Sequence, residues 1–594
     1  MRLRLVAQFT TIGLLSASFP VAAQTVTYAD EYSNRIKTAG TPQSLGDGAF
    51  GERVDLYSGA TSFSATDLVL EGKGPPIVIA RHSHKADLSE LDPGKFSGMG
   101  DWDFDIPQIY TIVPGTVKLT KSLVGDWRAS DASNQASTAR CTYFSNGPWS
   151  PPWGYFGPHS GAIFLSEWWR GYSLQMPGSG DQTLLARGTA PGPTSGTYNG
   201  VTLSHLQVGC LPSTTNGHPG EGFLVLAPDG TKYFLTHLTY DTYTTIQHDD
   251  GIDFYGWSVL PRNIGRMKAS RVEDRFGNYI NYNYTGDRLT SITGSDGRSV
   301  TIQWWSDAPL VQSITTNGRT WTYNYAGRSA DGGRLSQVVL PDGSAWNYSG
   351  YVPGDANYGL AINGCFPTHT VSGSDGAGTF SYAVTHPAGA TAAFSFSTRL
   401  RGQSYYPSYC DSSSDGSTTY ETGNPYTMVN ALVQRTVSGP GIASGTWTYT
   451  YEPNHASVQR LCPGTSCSST TYTDVTDPEG DRTRYIHSTR YGALQGKLLR
   501  VENYQGSSTQ KQSTDSLYNY VDSDYPYTAI FGYSMGAADP PYSTENLVVT
   551  RKTTTVRDGR TFVWEVPAGC PGGLTGYCFD AYGRPTKVIK SSSP

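Results

Sequence analysis

The residues with the most evident chemical capacity are eight cysteines. Along the chain they fall into neighbouring pairs: Cys141 and Cys210, Cys365 and Cys410, Cys462 and Cys467, Cys570 and Cys578. Thiols so placed either oxidise to disulfides or ligate a soft metal. Neither tight pair has the two-residue gap of a zinc clamp, and no histidine stands beside them at ligand spacing, so no metal is expected and bridging is. Eight cysteines allow about 105 connectivities, of which neighbour-to-neighbour pairing is the simplest. Pro463-Gly464 and Pro571-Gly572-Gly573 supply turns inside the two tight pairs.

Three carboxylates, Asp101, Asp103 and Asp105, alternate with Trp102, Phe104 and Ile106. Such a run offers either a calcium loop or paired acid–base groups. A calcium loop needs glycine at its sixth position, where this run has Ile106. The alternation is that of a strand, so the three aspartates are expected on a solvated face. His82 and His84 share one strand face with no third ligand beside them. The chain has no Gly-x-Ser-x-Gly elbow, no His-Glu-x-x-His pair and no glycine-rich phosphate loop ending in Lys-Ser/Thr. The expectation is therefore no catalytic residue, no cofactor and no enzymatic activity. The remaining binding candidates are aromatic. Trp149, Trp153, Tyr155, Trp168 and Trp169 crowd together with Pro148, Pro151, Pro152 and Pro158. Their rings are candidates for stacking on sugars; the competing reading is a local hydrophobic core under a proline-rich lobe.

What must position these residues is a strand-rich scaffold. The 594-residue chain has 40 Tyr, 68 Gly and 36 Pro, with only 15% charged residues. That mixture describes short strands joined by tight turns. A net charge of −6 argues against nucleic acid or an anionic membrane surface as the main partner. Arg2 and Arg4, the apolar stretch Leu5–Phe19 and small residues at Val21-Ala22-Ala23 form the three parts of a secretory signal. No later stretch has the length of a membrane span. Export to the periplasm, cell surface or extracellular space is expected, which permits disulfides.

From about residue 226 the sequence repeats. Pro228-Asp229-Gly230, Phe276-Gly277-Asn278, Ser295-Asp296-Gly297, Asn317-Gly318-Arg319 and Asp342-Gly343-Ser344 each lead into residues alternating apolar and polar. The spacing of equivalent glycines is about 20 to 25 residues, a period that marks a stacked repeat architecture. Drifted copies follow at Asp477–Tyr485, Arg557–Trp564 and Phe579–Val588. The fold class expected is all-β, with antiparallel strand and hairpin repeats forming a long wound sheet, plus a loop-rich aromatic lobe.

Phe579-Asp580-Ala581-Tyr582-Gly583-Arg584, the tandem copies between Asp274 and Tyr348, and the block Phe50–Gly59 with Gly100–Pro107 together resemble the YD-repeat, or Rhs, family. The resemblance implies a β-sheet wound into a shell, in proteins of bacterial competition, host interaction or adhesion. No Asp-Pro-x-Gly-Leu cleavage sequence is present, and no variable carboxy-terminal domain is expected. Neither a toxin activity nor autoproteolysis is carried over. The organisation expected is a signal peptide over 1–23, a polar leader over 24–45, and an amino-terminal β region over 46–140. A Trp/Pro-rich lobe follows over 141–225, then repeats over 226–350, an irregular β region over 351–470 and drifted repeats over 471–594. The function expected is a non-enzymatic exported scaffold for cell-surface interaction or encapsulation. The alternatives are a secreted carbohydrate-binding protein or carbohydrate-active enzyme, and a polymorphic-toxin core lacking its toxin. The partners expected are a glycan or cell-surface ligand and a protein covering an open sheet edge.

Overall fold

Alternating sequence becomes strand throughout the computed structural model. It describes residues 48–83, 98–115, 126–149, 165, 169, 171–177, 180–187, 196–202, 204–249, 257–330, 332–350, 361–363, 370–372, 376, 378–405, 410–412, 419–421, 426–453, 468–490, 494–519, 549–571, 576–580 and 583–593. The signal sequence and the polar leader fall outside these. The chain divides between Ala49 and Phe50, and Phe50–Pro594 is one unit.

Within that unit a 27-stranded antiparallel sheet runs largely in sequence order from Leu185–Ala186 to Ile589–Ser593. It continues through the stretch expected to be irregular: Ala345–Gly350 pairs with Thr379–Thr385, which pairs with Thr391–Gly402, then Tyr426–Gly439 and Ile442–Tyr451. The insertions foreseen there include two small hairpins outside the sheet, Ala361–Asn363 with Thr370–Ser372 and Cys410–Ser412 with Thr419–Glu421.

The repeat turn has one hydrogen-bond pattern. In Asp274–Asn278, Gly277 N–H donates to the Asp274 carbonyl and Asp274 N–H to the Asn278 carbonyl. The Asp274 carboxylate accepts from the Phe276 and Asn278 amides. Gly277 sits at φ +86°, where a Cβ is disfavoured. The same backbone pair closes Ala227–Thr231, Gly294–Arg298, Leu340–Ser344, His386–Ala390, Asp477–Asp481 and Asp580–Arg584. Two-residue hairpins at Asn317-Gly318 and Asp558-Gly559 use positive φ at both positions, as right-twisted strands require.

A second sheet of four strands consists of Glu52–Val54, Thr61–Leu70, Ile77–Ser83 and Trp102–Phe104, of which the last two are covered on both faces. Arg81, Phe63 and Trp102 lie on one face and meet Tyr348, Tyr382 and Phe394 of the repeats. His82 and Asp103 lie on the other, where His82 meets Gln175 of Ser173–Met176. Both sets of partners belong to the long sheet. The long sheet therefore covers one face of the small one and reaches the other at Ile77–Ser83 and Trp102–Phe104, while Arg53, Ser64 and Thr66 of the first two strands are exposed. One hydrophobic cluster unites Phe63, Ile79 and Trp102 with Tyr323, Phe394 and Tyr451.

Candidate functional site

Packing one sheet onto another buries polar residues as well as apolar ones, and these are where chemistry is available. On the repeat side, Arg81 and Asp67 form a salt bridge at 2.9 Å with both side chains inaccessible. Tyr323 donates its hydroxyl to Asp67, and Arg81 donates to the Tyr348 hydroxyl. Arg81 also stands over the Trp102 ring at 4.5 Å. Glu52 pairs with Arg435 at 3.0 Å, tying the first strand to a repeat strand. Asp101 accepts the Leu335 amide, and burial pushes its carboxyl up to about 6.

These placements correct one expectation. The aspartates of the 101–105 run do not form a solvated face: Asp103 is 3% exposed and Asp101 binds the repeat backbone. The alternation of a strand is present, but both of its faces are covered. His82 lies 3.9 Å from Asp103, and His84 lies outside the described residues.

On the opposite side the long sheet forks. Trp257–Glu273 pairs with Lys232–Asp249 along its length. Its other edge pairs with Tyr279–Thr285 only through Arg271, Val272 and Glu273, then turns to Gln108–Pro114 through Arg262–Lys268. Beside the Tyr279–Thr285 branch opens a cavity of about 670 Å³ lined by His218, His237, Asn281, Tyr282, Tyr284 and Asp287 among others. That size suits a small ligand. His237 is 4% exposed and stacks on Tyr284 with centroids 3.8 Å apart and planes 11° from parallel. Burial, then the Lys268 charge, lowers its imidazole to about 4, against an opposing hydrogen bond to the Gly286 backbone. The ring is neutral at neutral pH, with its Nε2 buried and unpartnered. Lys268, register partner of His237, has its ammonium lowered by burial, with the charges of Asp241, Asp287 and Asp103 opposing that shift and Arg266 adding to it. Nothing in the sequence motifs marked His237; the signal lies in a strand pairing.

The residues singled out in the sequence are dispersed. Cys141–Cys210 and Cys570–Cys578 are disulfide-bonded. The side chains of Cys365, Cys410, Cys462 and Cys467 lie outside the described residues. Of the aromatic set, Trp153, Tyr155 and Trp168 also lie outside them. Trp149 is partly buried and donates its indole N–H to the Asn134 carbonyl. Trp169 is a correction: it is 3% exposed, donates to the Thr111 hydroxyl and packs edge-on against Tyr172, so it presents no ring to a ligand. Tyr172 continues into an aromatic core of Trp127, Phe144 and Phe223 beside the Cys141–Cys210 bridge. Among the described residues no group of three or more His, Cys, Asp or Glu is placed to hold a metal, and no helix is long and apolar enough to cross a membrane.

No protein-family profile matches the sequence, and no curated protein matches it. A solved structure titled "Crystal Structure of TcdB2-TccC3-TEV" aligns with 95% of this chain and 28% of its own, at 8% identity and TM-score 0.17. The chain thus spans under a third of that protein.

Proposed function

We propose that this chain is an exported, non-enzymatic repeat scaffold of the Rhs kind, serving recognition at a cell surface. The observation that supports the reading is the packing of one face of the four-stranded sheet, through Phe63, Arg81 and Trp102, onto the repeat sheet. Arg81, Asp67, Glu52 and Arg435, the most deeply buried charged side chains in that sheet's contact with the repeats, are paired with one another. Groups consumed in this way hold two sheets in register and are not available to a substrate. The repeat rows from Tyr323 to Tyr451 thus wrap the chain's own strands, which favours a recognition scaffold over a shell for separate cargo. Two disulfides accord with an oxidising compartment, as export requires.

The test is made in the native host with the full chain. Cells carrying an epitope-tagged copy are fractionated and treated with external protease, and a deletion strain is compared with its parent for attachment to, or competition with, other cells. Protease-accessible tag and a contact-dependent defect are the results expected. Retention of the protein in the cytoplasm, or hydrolysis of polysaccharide by the purified chain, contradicts the reading.

A further inference from the structure

We infer that the turn Asp55–Ala60 is an acid-sensitive latch: protonation of His487, which packs against Tyr57, frees the turn from the repeat wall while the strand that follows it stays in place. The inference does not depend on the scaffold reading. It starts from how the turn is held. Asp55 N–H donates to the Ala60 carbonyl and Gly59 N–H to the Asp55 carbonyl, so the turn closes on itself. It is tied to the wall where the Leu432 amide donates to the Gly59 carbonyl and the Thr473 hydroxyl to the Leu56 carbonyl. Tyr57 meets His487 with ring centroids 5.7 Å apart, and Gly496 also borders the Tyr57 ring. The strand Thr61–Leu70 is held separately, by the Tyr323 hydroxyl on Asp67 and by Phe63 on Phe394.

His487 is the histidine of this contact. It is 6% exposed, and its Nδ1 is buried without a hydrogen-bond partner. An imidazolium donates from both ring nitrogens, so the docked site leaves it a buried N–H with no acceptor. Thr471 and Leu498, its partners in the sheet, carry no charge. The charged groups that act on it are Asp55 of the turn and Arg401, the latter stacked over the Tyr451 ring. Burial lowers the imidazole to about 4; the Asp55 carboxylate opposes that shift and the Arg401 cation adds to it. Asp55 is engaged within the turn, accepting from the Tyr57 amide and the Ser58 hydroxyl. The Tyr57 phenol is raised by burial and stays neutral on acidification. Release of the turn uncovers His487 and returns it towards 6.5. Between those values the released form binds a proton that the docked form does not, so docking is full above about pH 6.5 and weakens as pH falls towards 4. Release is favoured at pH 5 by up to roughly 30-fold over pH 7.5.

The test is hydrogen exchange of the full chain, read by mass spectrometry at about pH 7.5 and about pH 5 and corrected for the intrinsic exchange rate at each pH. The Leu432 amide reports docking, because its acceptor is the Gly59 carbonyl. Its protection is expected to fall roughly 10- to 30-fold at the lower pH, with the ladder amides of Thr391–Gly402 remaining more protected than it at both. His487→Phe keeps a ring against Tyr57 and takes up no proton, and is expected to abolish the fall. Should that variant fail to fold, His487→Gln decides, with the same loss of response expected. Unchanged protection of Leu432 on acidification, exchange of Leu432 only together with the ladder, or a full response in the variant that decides overturns the inference.

Discussion

Arg81 and Asp67 show how a residue's role is set by what covers it. Each lies on an alternating strand, yet both are inaccessible and paired, with two tyrosine hydroxyls completing the set. Replacing Arg81 by Met leaves Asp67 as a buried carboxylate without its cation, expected to cost about 3–5 kcal/mol. The double change Arg81→Met with Asp67→Leu is expected to be milder, because no lone charge remains. Thermal unfolding of the three proteins checks the order. The buried histidines give a pH dependence. His237 and His487 are both lowered to about 4, chiefly by burial, from an unfolded value near 6.5. Between those values the unfolded chain binds more protons than the folded one, so stability is full above about pH 6.5 and declines as pH falls towards 4. Asp101, raised to about 6, acts in the opposite sense below that pH, as one group against two. The unfolding temperature is expected to fall from pH 7 to pH 4, and His487→Gln to flatten the slope. A midpoint that rises on acidification contradicts this. Little at this scale was legible in the sequence. Asp103 and Trp169 have the types and spacing of exposed functional groups, and only tertiary cover shows that both are interior.

Glycines separate the two kinds of constraint acting on an element. Gly277 is at φ +86° with open space around a prospective Cβ, so Gly277→Ala carries only conformational strain of about 1–2 kcal/mol. Gly59 is at φ +82°, and a Cβ there would lie 2.4 Å from the Ala431 Cβ and 2.6 Å from the Tyr451 hydroxyl. Gly59→Ala adds overpacking of about 1–3 kcal/mol to the same strain and loosens the amino-terminal turn from the strand Tyr426–Gly439. The measured stabilities are expected in that order; equal losses contradict the contact. The repeat turns were readable wherever an aspartate preceded the glycine, because its carboxylate caps the turn amides. The copy at His386–Ala390 was not readable. There the His386 ring nitrogen accepts the Ala388 amide at 3.0 Å, as the Asp274 carboxylate accepts the Phe276 amide at 2.8 Å. Equivalent hydrogen bonding from a different residue type hid that repeat inside a stretch that reads as irregular. The fork was hidden for a related reason: no property of Trp257–Glu273 states that its edge changes partner midway.

At the scale of the molecule, period-2 alternation and turn spacing were enough for an all-β sheet of antiparallel repeats, because one repeat buries its face only against its neighbours. They could not show that the chain supplies its own filling. Pairings such as Phe63 with Phe394, Glu52 with Arg435 and the Thr473 hydroxyl with the Leu56 carbonyl join residues hundreds apart. Among the described residues beyond Leu498 that cover is thinner: the strands from Leu498–Gln505 to Ile589–Ser593 are mostly half-buried, and Leu517, Val556 and Ile589 are exposed. The amino-terminal strands and the repeats that hold them should therefore open as one unit, separately from the later strands. Hydrogen exchange of the intact chain, read by mass spectrometry, tests this directly. Amides in Thr61–Leu70 and Ile77–Ser83 are expected to be protected to the same degree as those in Arg319–Ser329 and Thr391–Gly402, and more strongly than those in Val549–Arg557. Exchange of the amino-terminal strands ahead of the repeats, as an independently opening layer, would contradict the wrapped arrangement.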